Sequence, residues 1–249
     1  MKFRHLEDML TEQGIDLYSE IISNMKEPFV SIFNYLLDIT SFLDSEKLKS
    51  EYKIIGGYAV LTHIVDQYGE KVIPKWRGSK DIDIIGSDRV HRALKREYNI
   101  LSIDDRPSPN LLNKRTIKIK NDENTEFEGC KIDFVSGDQN LISEYQEEKK
   151  ILEIPIMVTN SLGLIKYKLA VTKEELEHKE DILKLIGIME QKGQSVSHLV
   201  DNIDHTQRES LYNLLKEETG PSENVKFSFD PNIDYLRLLR ASLKKHIIH

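Results

Sequence analysis

Asp81-Ile82-Asp83-Ile84 constrains this chain more than any other feature. Acid alternating with a large apolar residue is the period of a strand with one wet face and one core face. Asp81 and Asp83 then project together, about 7 Å apart at Cα from the strand rise, while Ile82 and Ile84 enter the core. A second run of the same kind, Lys131-Ile132-Asp133-Phe134-Val135, puts Asp133 on one face with Lys131 and Val135. Cys130, Ile132 and Phe134 face the other way, and Cys130 reads as an inert core residue. If the two strands are neighbours, three carboxylates converge and, without a metal, repel one another. That is a hard-oxygen set suited to magnesium, which is held by a few carboxylates together with substrate phosphates.

Ahead of both runs stands Ile54-Ile55-Gly56-Gly57, followed by helical spacing at Ala59, Val60, Leu61 and Ile64. Strand, double glycine and helix form one unit. The glycines permit torsions and close approach that side chains block, and backbone donors at a helix start suit phosphate. Two metal ions about 3.5–4 Å apart would lower the pKa of an attacking hydroxyl and hold a triphosphate and its departing pyrophosphate. Asp133 would then lie near the nucleophile. Each piece has a blander reading on its own: an edge strand with one wet face, a glycine turn, a lone strand aspartate. Their order along one chain is far more restrictive and points to metal-dependent phosphoryl or nucleotidyl transfer.

The remaining sequence reads as α+β. One or two short helices are predicted over residues 4 to 25, interrupted near Gly14, and an amphipathic helix from Pro28 to Leu48. Strands are predicted at Tyr52 to Ile55, Asp81 to Ile85, Ile100 to Ile103, Arg115 to Lys120, Phe127 to Val135 and Leu152 to Val158. Ser87 or Asp88 can cap a helix through Glu97. The runs at 115 to 120 and 127 to 135 flank the turn Asn121-Asp122-Glu123-Asn124 and are expected to pair antiparallel. Gly69 to Lys80 reads as a loop or short hairpin arm, and loops are read over Asp104 to Asn113 and at Gly220-Pro221-Ser222. After Asn160 the character becomes helical: Leu162 to Val171, Glu174 to Gln191 behind a capping box at Thr172 to Glu175, His205 to Glu217, and Ile233 to His246. The expected organisation is a mixed sheet with flanking helices over 1–159 and a mostly helical part over 160–249.

At Ile55-Gly56-Gly57 and Arg77-Gly78-Ser79-Lys80-Asp81-Ile82-Asp83-Ile84 the chain resembles the DNA polymerase beta-type nucleotidyltransferase superfamily. The Gly-Gly-Tyr-Ala start and the Arg-x-Ser-x-Asp-Ile-Asp segment look most like the AbiEii-type nucleotidyltransferases, which include toxins of toxin–antitoxin systems. The resemblance implies a nucleotidyltransferase-like fold, magnesium and a nucleoside triphosphate. It matches Asp81 and Asp83 to the metal pair and Asp133 to the third carboxylate. Gly56 and Gly57 would offer phosphate their backbone donors, Arg77 and Ser79 would either contact phosphate or form an exposed turn, and Lys80 would pair with phosphate or with a neighbouring acid. A weaker match places a lysine, Lys166 or Lys168, near the triphosphate with Asp181 as its orienting acid. The gap between Gly57 and Asp81 is longer than the family's usual spacing.

The reaction so implied moves a nucleoside monophosphate from a triphosphate to an acceptor: a tRNA end, a protein side chain or a small molecule. A toxin role would add a separate antitoxin protein. The alternatives are an aminoglycoside-like small-molecule nucleotidyltransferase and a non-catalytic nucleotide- or partner-binding domain. A formal charge of -7 disfavours bulk attraction to nucleic acid but leaves room for a local basic strip. One cysteine rules out an intrachain disulfide. With no apolar leader and no membrane-length apolar run, the expected location is the cytoplasm, with no membrane partner. His63 is expected to be a packed or surface histidine rather than one bordering the site, and Tyr58 to pack rather than stack on a base.

Overall fold

The computed structural model describes residues 4–104, 114–119, 129–171, 176–217 and 232–247. It divides into two compact units, Met1–Thr159 and Asn160–His249.

In the first unit, seven strands among the described residues form one mixed sheet in the order β3-β4-β5-β2-β1-β7-β6. They are β1 (Tyr52–Ile55), β2 (Ile82–Gly86), β3 (Ile100–Asp104), β4 (Lys114–Ile119), β5 (Cys130–Ser136), β6 (Gln146–Ile151) and β7 (Ile154–Thr159). β2 pairs parallel with β5 and β1 pairs parallel with β7, while the other neighbours are antiparallel. Alternation does what the sequence implies: Ile82, Ile84, Ile117, Ile119, Ile132 and Phe134 are all fully buried. Cys130 is buried among them, and burial pushes its thiol up, away from thiolate chemistry.

Six helices flank this sheet among the described residues: α1 (Arg4–Met9), α2 (Glu12–Asn24), α3 (Phe29–Ser45), α4 (Gly56–Tyr68), α5 (Asp88–Glu97) and α6 (Gln139–Ser143). α3 is buried at every residue from Ile32 to Leu43, so it is a core helix without the solvent-facing side that amphipathic spacing predicts. Its polar residues find partners inside. Thr40 Oγ1 donates to the Leu36 carbonyl at 2.9 Å. The Asp38 carboxylate accepts from the backbone N–H groups of His5 at 3.1 Å and Leu6 at 3.2 Å, and from the Tyr98 hydroxyl at 2.8 Å. A buried acid thus caps the short first helix from across the core. α6 is held by a buried cation: Lys53 Nζ donates to the carbonyls of Leu141 at 2.6 Å and Glu144 at 2.5 Å.

The second unit comprises α7 (Ser161–Val171), α8 (Leu176–Gln191), α9 (Val196–Asn202), α10 (His205–Glu217) and α11 (Ile233–Ile247) among the described residues. α7 packs on α8 and α10, and α11 on α9 and α10. Among the described residues no helix is long and apolar enough to cross a membrane.

The differences from expectation have local causes. The break between the first two helices falls before Thr11, whose hydroxyl accepts from Gly14 N–H at 3.1 Å and caps α2, so Gly14 lies inside a helix. The strand predicted at Leu152 to Val158 is the second arm of a hairpin. Leu152 and Glu153 form its turn, both left-handed at φ 52° and 67°. Its first arm, Gln146–Ile151, is an edge strand of mostly polar residues, so no apolar alternation marks it. Segment 70–75, read as loop, is a 3-10 turn. β2 begins at Ile82, one residue after Asp81. The loop over 105–113, the turn at 121–124, the capping box at 172–175 and the loop at 220–222 lie outside the described residues.

Candidate active site

Strand register assembles the site. Asp83 pairs with Ile55 of β1 on one side and with Asp133 of β5 on the other, and Asp133 pairs with Thr116 of β4. Paired residues share a face, so Thr116, Asp133, Asp83 and Ile55 form a row across four strands. Asp81 stands two residues before Asp83 on the same side. Ile55 carries the row into α4, whose first residue, Gly56, has φ +69°. A Cβ there would lie 2.0 Å from Asp83 Oδ2, so the carboxylate rests against the bare glycine backbone. No side chain caps α4 at Ile55.

The segment before β2 is pressed onto the same helix start. A Cβ on Gly57 would meet Ser79 Oγ at 3.0 Å and Trp76 Cζ2 at 3.5 Å. Trp76 packs against Tyr58 at 5.1 Å between ring centroids. Gly78, at φ +83°, lies so close to the Phe29 ring that a Cβ would come within 2.3 Å of it. Ser79 Oγ reaches Asp81 Oδ1 at 3.4 Å. The Arg77 guanidinium lies over Trp76 at 5.8 Å and donates to the Gly78 carbonyl. Lys80 is exposed. Tyr58 is buried, so its ring is unavailable to a base. His63 is buried too, with Nε2 donating to the Thr159 carbonyl at 2.9 Å and Glu147 Oε1 3.4 Å away.

A residue not singled out from sequence sits at the centre. Lys131 Nζ is 3.0 Å from Asp81 Oδ2 and 3.0 Å from Asp133 Oδ2, so those two oxygens are no more than about 6 Å apart. Burial draws the Lys131 ammonium down, but its hydrogen bonds to the two aspartates outweigh this and hold its pKa above the ordinary lysine value. Thr116, likewise unassigned from sequence, donates to Asp133 Oδ1 at 2.9 Å and fixes the rotamer of this buried carboxylate. The Lys-Ile-Asp alternation already placed Lys131 on Asp133's face. That it also reaches Asp81 depends on the β2–β5 pairing.

These side chains fit magnesium in kind. The donors are hard carboxylate oxygens, and a cation already stands between two of them. As the side chains stand, no group of three or more His, Cys, Asp or Glu among the described residues is drawn together to hold an ion. The ammonium occupies the position between Asp81 and Asp133.

In the second unit, Lys168 on α7 and Asp181 on α8 form a buried ion pair at 2.8 Å. Lys166 is half-buried, and its carbonyl accepts from Gln207 Nε2 at 3.2 Å. The two lysines therefore differ: Lys168 is the one joined to the acid.

No protein-family model and no curated protein matches the chain. Among solved structures it is similar to a nucleotidyltransferase candidate from H. pylori, at 14% identity and a TM-score of 0.43, over 96% of this chain and 98% of that one. It is similar to an antigenic nucleotidyltransferase-like protein from Paracoccidioides brasiliensis at 12% identity and a TM-score of 0.45, over 75% of this chain and 88% of that one. A Megavirus polyadenylate synthase matches at 13% identity and a TM-score of 0.32, over 86% of this chain but only 43% of the synthase. Likenesses this distant say nothing of substrate or acceptor.

Proposed function

We propose that this protein is a metal-dependent nucleotidyltransferase that moves a nucleoside monophosphate from a nucleoside triphosphate to an acceptor. The observation that carries the reading is the register of Asp83 with Asp133 on neighbouring parallel strands, with Asp81 on the same face and close to Asp133. Asp81 and Asp133, no more than about 6 Å apart at these oxygens, repel one another unless a cation joins them, a place that Lys131 fills here and that would suit a metal ion equally.

Asp81, Asp83 and Asp133 would hold magnesium, whose chemistry there is to neutralise triphosphate charge and lower the pKa of an attacking hydroxyl. Asp133, the most buried of the three and steadied by Thr116, is suited to draw the proton from that hydroxyl. The first N–H groups of α4 have no intrahelical partners and favour phosphate oxygens. Ser79 packs against Gly57 and supports that approach, with Arg77 and Lys80 as the nearby cations of the same segment. In the second unit, Lys166 and Lys168 are both candidates for the phosphate-facing cation that the resemblance implies, and Lys168 is the one paired with Asp181.

The test is transfer of label from each of the four nucleoside triphosphates, with a tRNA pool, a protein fraction and an aminoglycoside as separate acceptors. Label in tRNA or protein supports the reading and its toxin-type extension, for which a neutralising antitoxin protein is the expected partner. Label in the aminoglycoside selects the small-molecule alternative. Asp83→Asn is expected to lower transfer by about 10²-fold or more while leaving the thermal unfolding transition near that of the wild type. Unchanged transfer in this variant would overturn the assignment.

A further inference from the structure

We propose that Lys131 is the resident counter-ion of the carboxylate site, and that a divalent cation loads between Asp81 and Asp133 only by displacing its ammonium. The inference rests on the metal-dependent reading above and adds to it a residue that controls loading.

Three features carry it. The ammonium is equidistant from one oxygen of each carboxylate, at 3.0 Å, which is the position of a bridging cation. A divalent ion held by both carboxylates would be drawn to the same negative potential, in the space that Nζ now occupies between them. Two cations cannot share it. Displacement is also sterically simple. Lys131 lies two residues from Asp133 on the same strand face, its side chain is 40% exposed, and its four-carbon stem can turn outward with no backbone change. Finally, the ammonium offsets the repulsion between Asp81 and Asp133, so a metal ion would take over a charge balance that Lys131 already supplies. Lys118, register partner of Lys131 on β4, shares that face and makes the outward position less favourable for a second ammonium. A triphosphate changes this balance: its oxygens give the released ammonium a partner, so metal and nucleotide are expected to load together.

The experiment titrates Mn²⁺ into the full-length protein, with binding read by calorimetry and by the electron paramagnetic resonance signal of free Mn²⁺. Wild type, Lys131→Met and Lys131→Gln are compared without nucleotide and then with a non-hydrolysable triphosphate. Both variants are expected to bind Mn²⁺ about tenfold tighter than wild type without nucleotide, and the gap is expected to narrow when nucleotide is present. In chelator, both variants should melt below wild type, and added Mn²⁺ should raise their melting temperatures by more. Equal or weaker Mn²⁺ binding in folded variants, with wild type binding normally, would overturn the role of Lys131 and leave the metal-dependent reading intact. Failure of all three proteins to bind Mn²⁺, even with nucleotide, would overturn both. Asp133→Asn serves as the control that must lose binding.

Discussion

Gly56 and Gly78 both have positive φ, yet their substitutions should fail in different ways. A Cβ on Gly56 would stand 2.0 Å from Asp83 Oδ2, while a Cβ on Gly78 would meet the Phe29 ring at 2.3 Å. An alanine at either position adds left-handed strain of about 1 kcal/mol. At Gly56 the displaced group is a candidate metal ligand. Gly56→Ala is therefore expected to lower transfer by roughly tenfold or more and to weaken Mn²⁺ binding, with only about 1–2 kcal/mol lost in urea unfolding. At Gly78 the displaced group is an aromatic ring, so Gly78→Ala should show mainly as lost stability, about 1–3 kcal/mol from overpacking. Full transfer by Gly56→Ala would show that Asp83 does not work from its position against the glycine. At this scale much of the candidate site's geometry was legible. Asp81, Asp83 and Asp133 declare themselves by alternation, and the double glycine by its place between strand and helix. Lys131 was visible on Asp133's face, but its contact with Asp81 spans 50 residues of sequence and no local pattern encodes it.

Among the elements, α6 exposes a cost that only the fold reveals. Lys53 looks like an ordinary strand lysine, yet it is fully buried against the carbonyls at the end of this five-residue helix. Desolvation lowers its pKa to about 8 from an ordinary 10.5, with Glu144 opposing. Between those values the unfolded chain holds a proton that the folded chain has released. Stability contributed here therefore rises with pH through that window, and the burial cost is fully present below about pH 8. Wild type is expected to gain on the order of 1–2 kcal/mol in urea unfolding between pH 7.5 and pH 9.5 through this group. Lys53→Met should flatten that rise; an identical slope in the two proteins would show that Lys53 is not the group responsible. The same contrast explains which elements were readable. β2, β4 and β5 carry apolar alternation because one face meets the core. β6 lies at the sheet edge with charged residues on both faces and a left-handed Leu152-Glu153 turn in place of Asn-Gly, so it carries neither signal.

At the scale of the molecule, the whole sheet, the aspartate row and Lys131 belong to Met1–Thr159, and the Lys168–Asp181 pair belongs to Asn160–His249. This division decides how the contribution of the second unit must be tested. Replacing Lys168 alone would take from the buried Asp181 its ion-pair partner at 2.8 Å, at a cost of about 3–5 kcal/mol, and lost activity would then report lost structure. Replacing both partners with apolar residues of similar volume avoids that penalty. Lys168→Met combined with Asp181→Leu is therefore expected to keep the full-length protein folded, within about 2 kcal/mol of wild type, while removing the cation. If Lys168 faces phosphate during transfer, this double variant should lose turnover with nucleotide affinity little changed, whereas a lysine that only positions the triphosphate should weaken affinity first. A fragment of residues 1–159 gives the complementary measurement. It holds every strand of the sheet and the three aspartates, so it is expected to melt cooperatively and bind Mn²⁺ within about threefold of the full chain. It should nevertheless transfer no label. Transfer at the full rate by the double variant would assign the phosphate-facing cation to Arg77 or Lys80 and leave the second unit as scaffold.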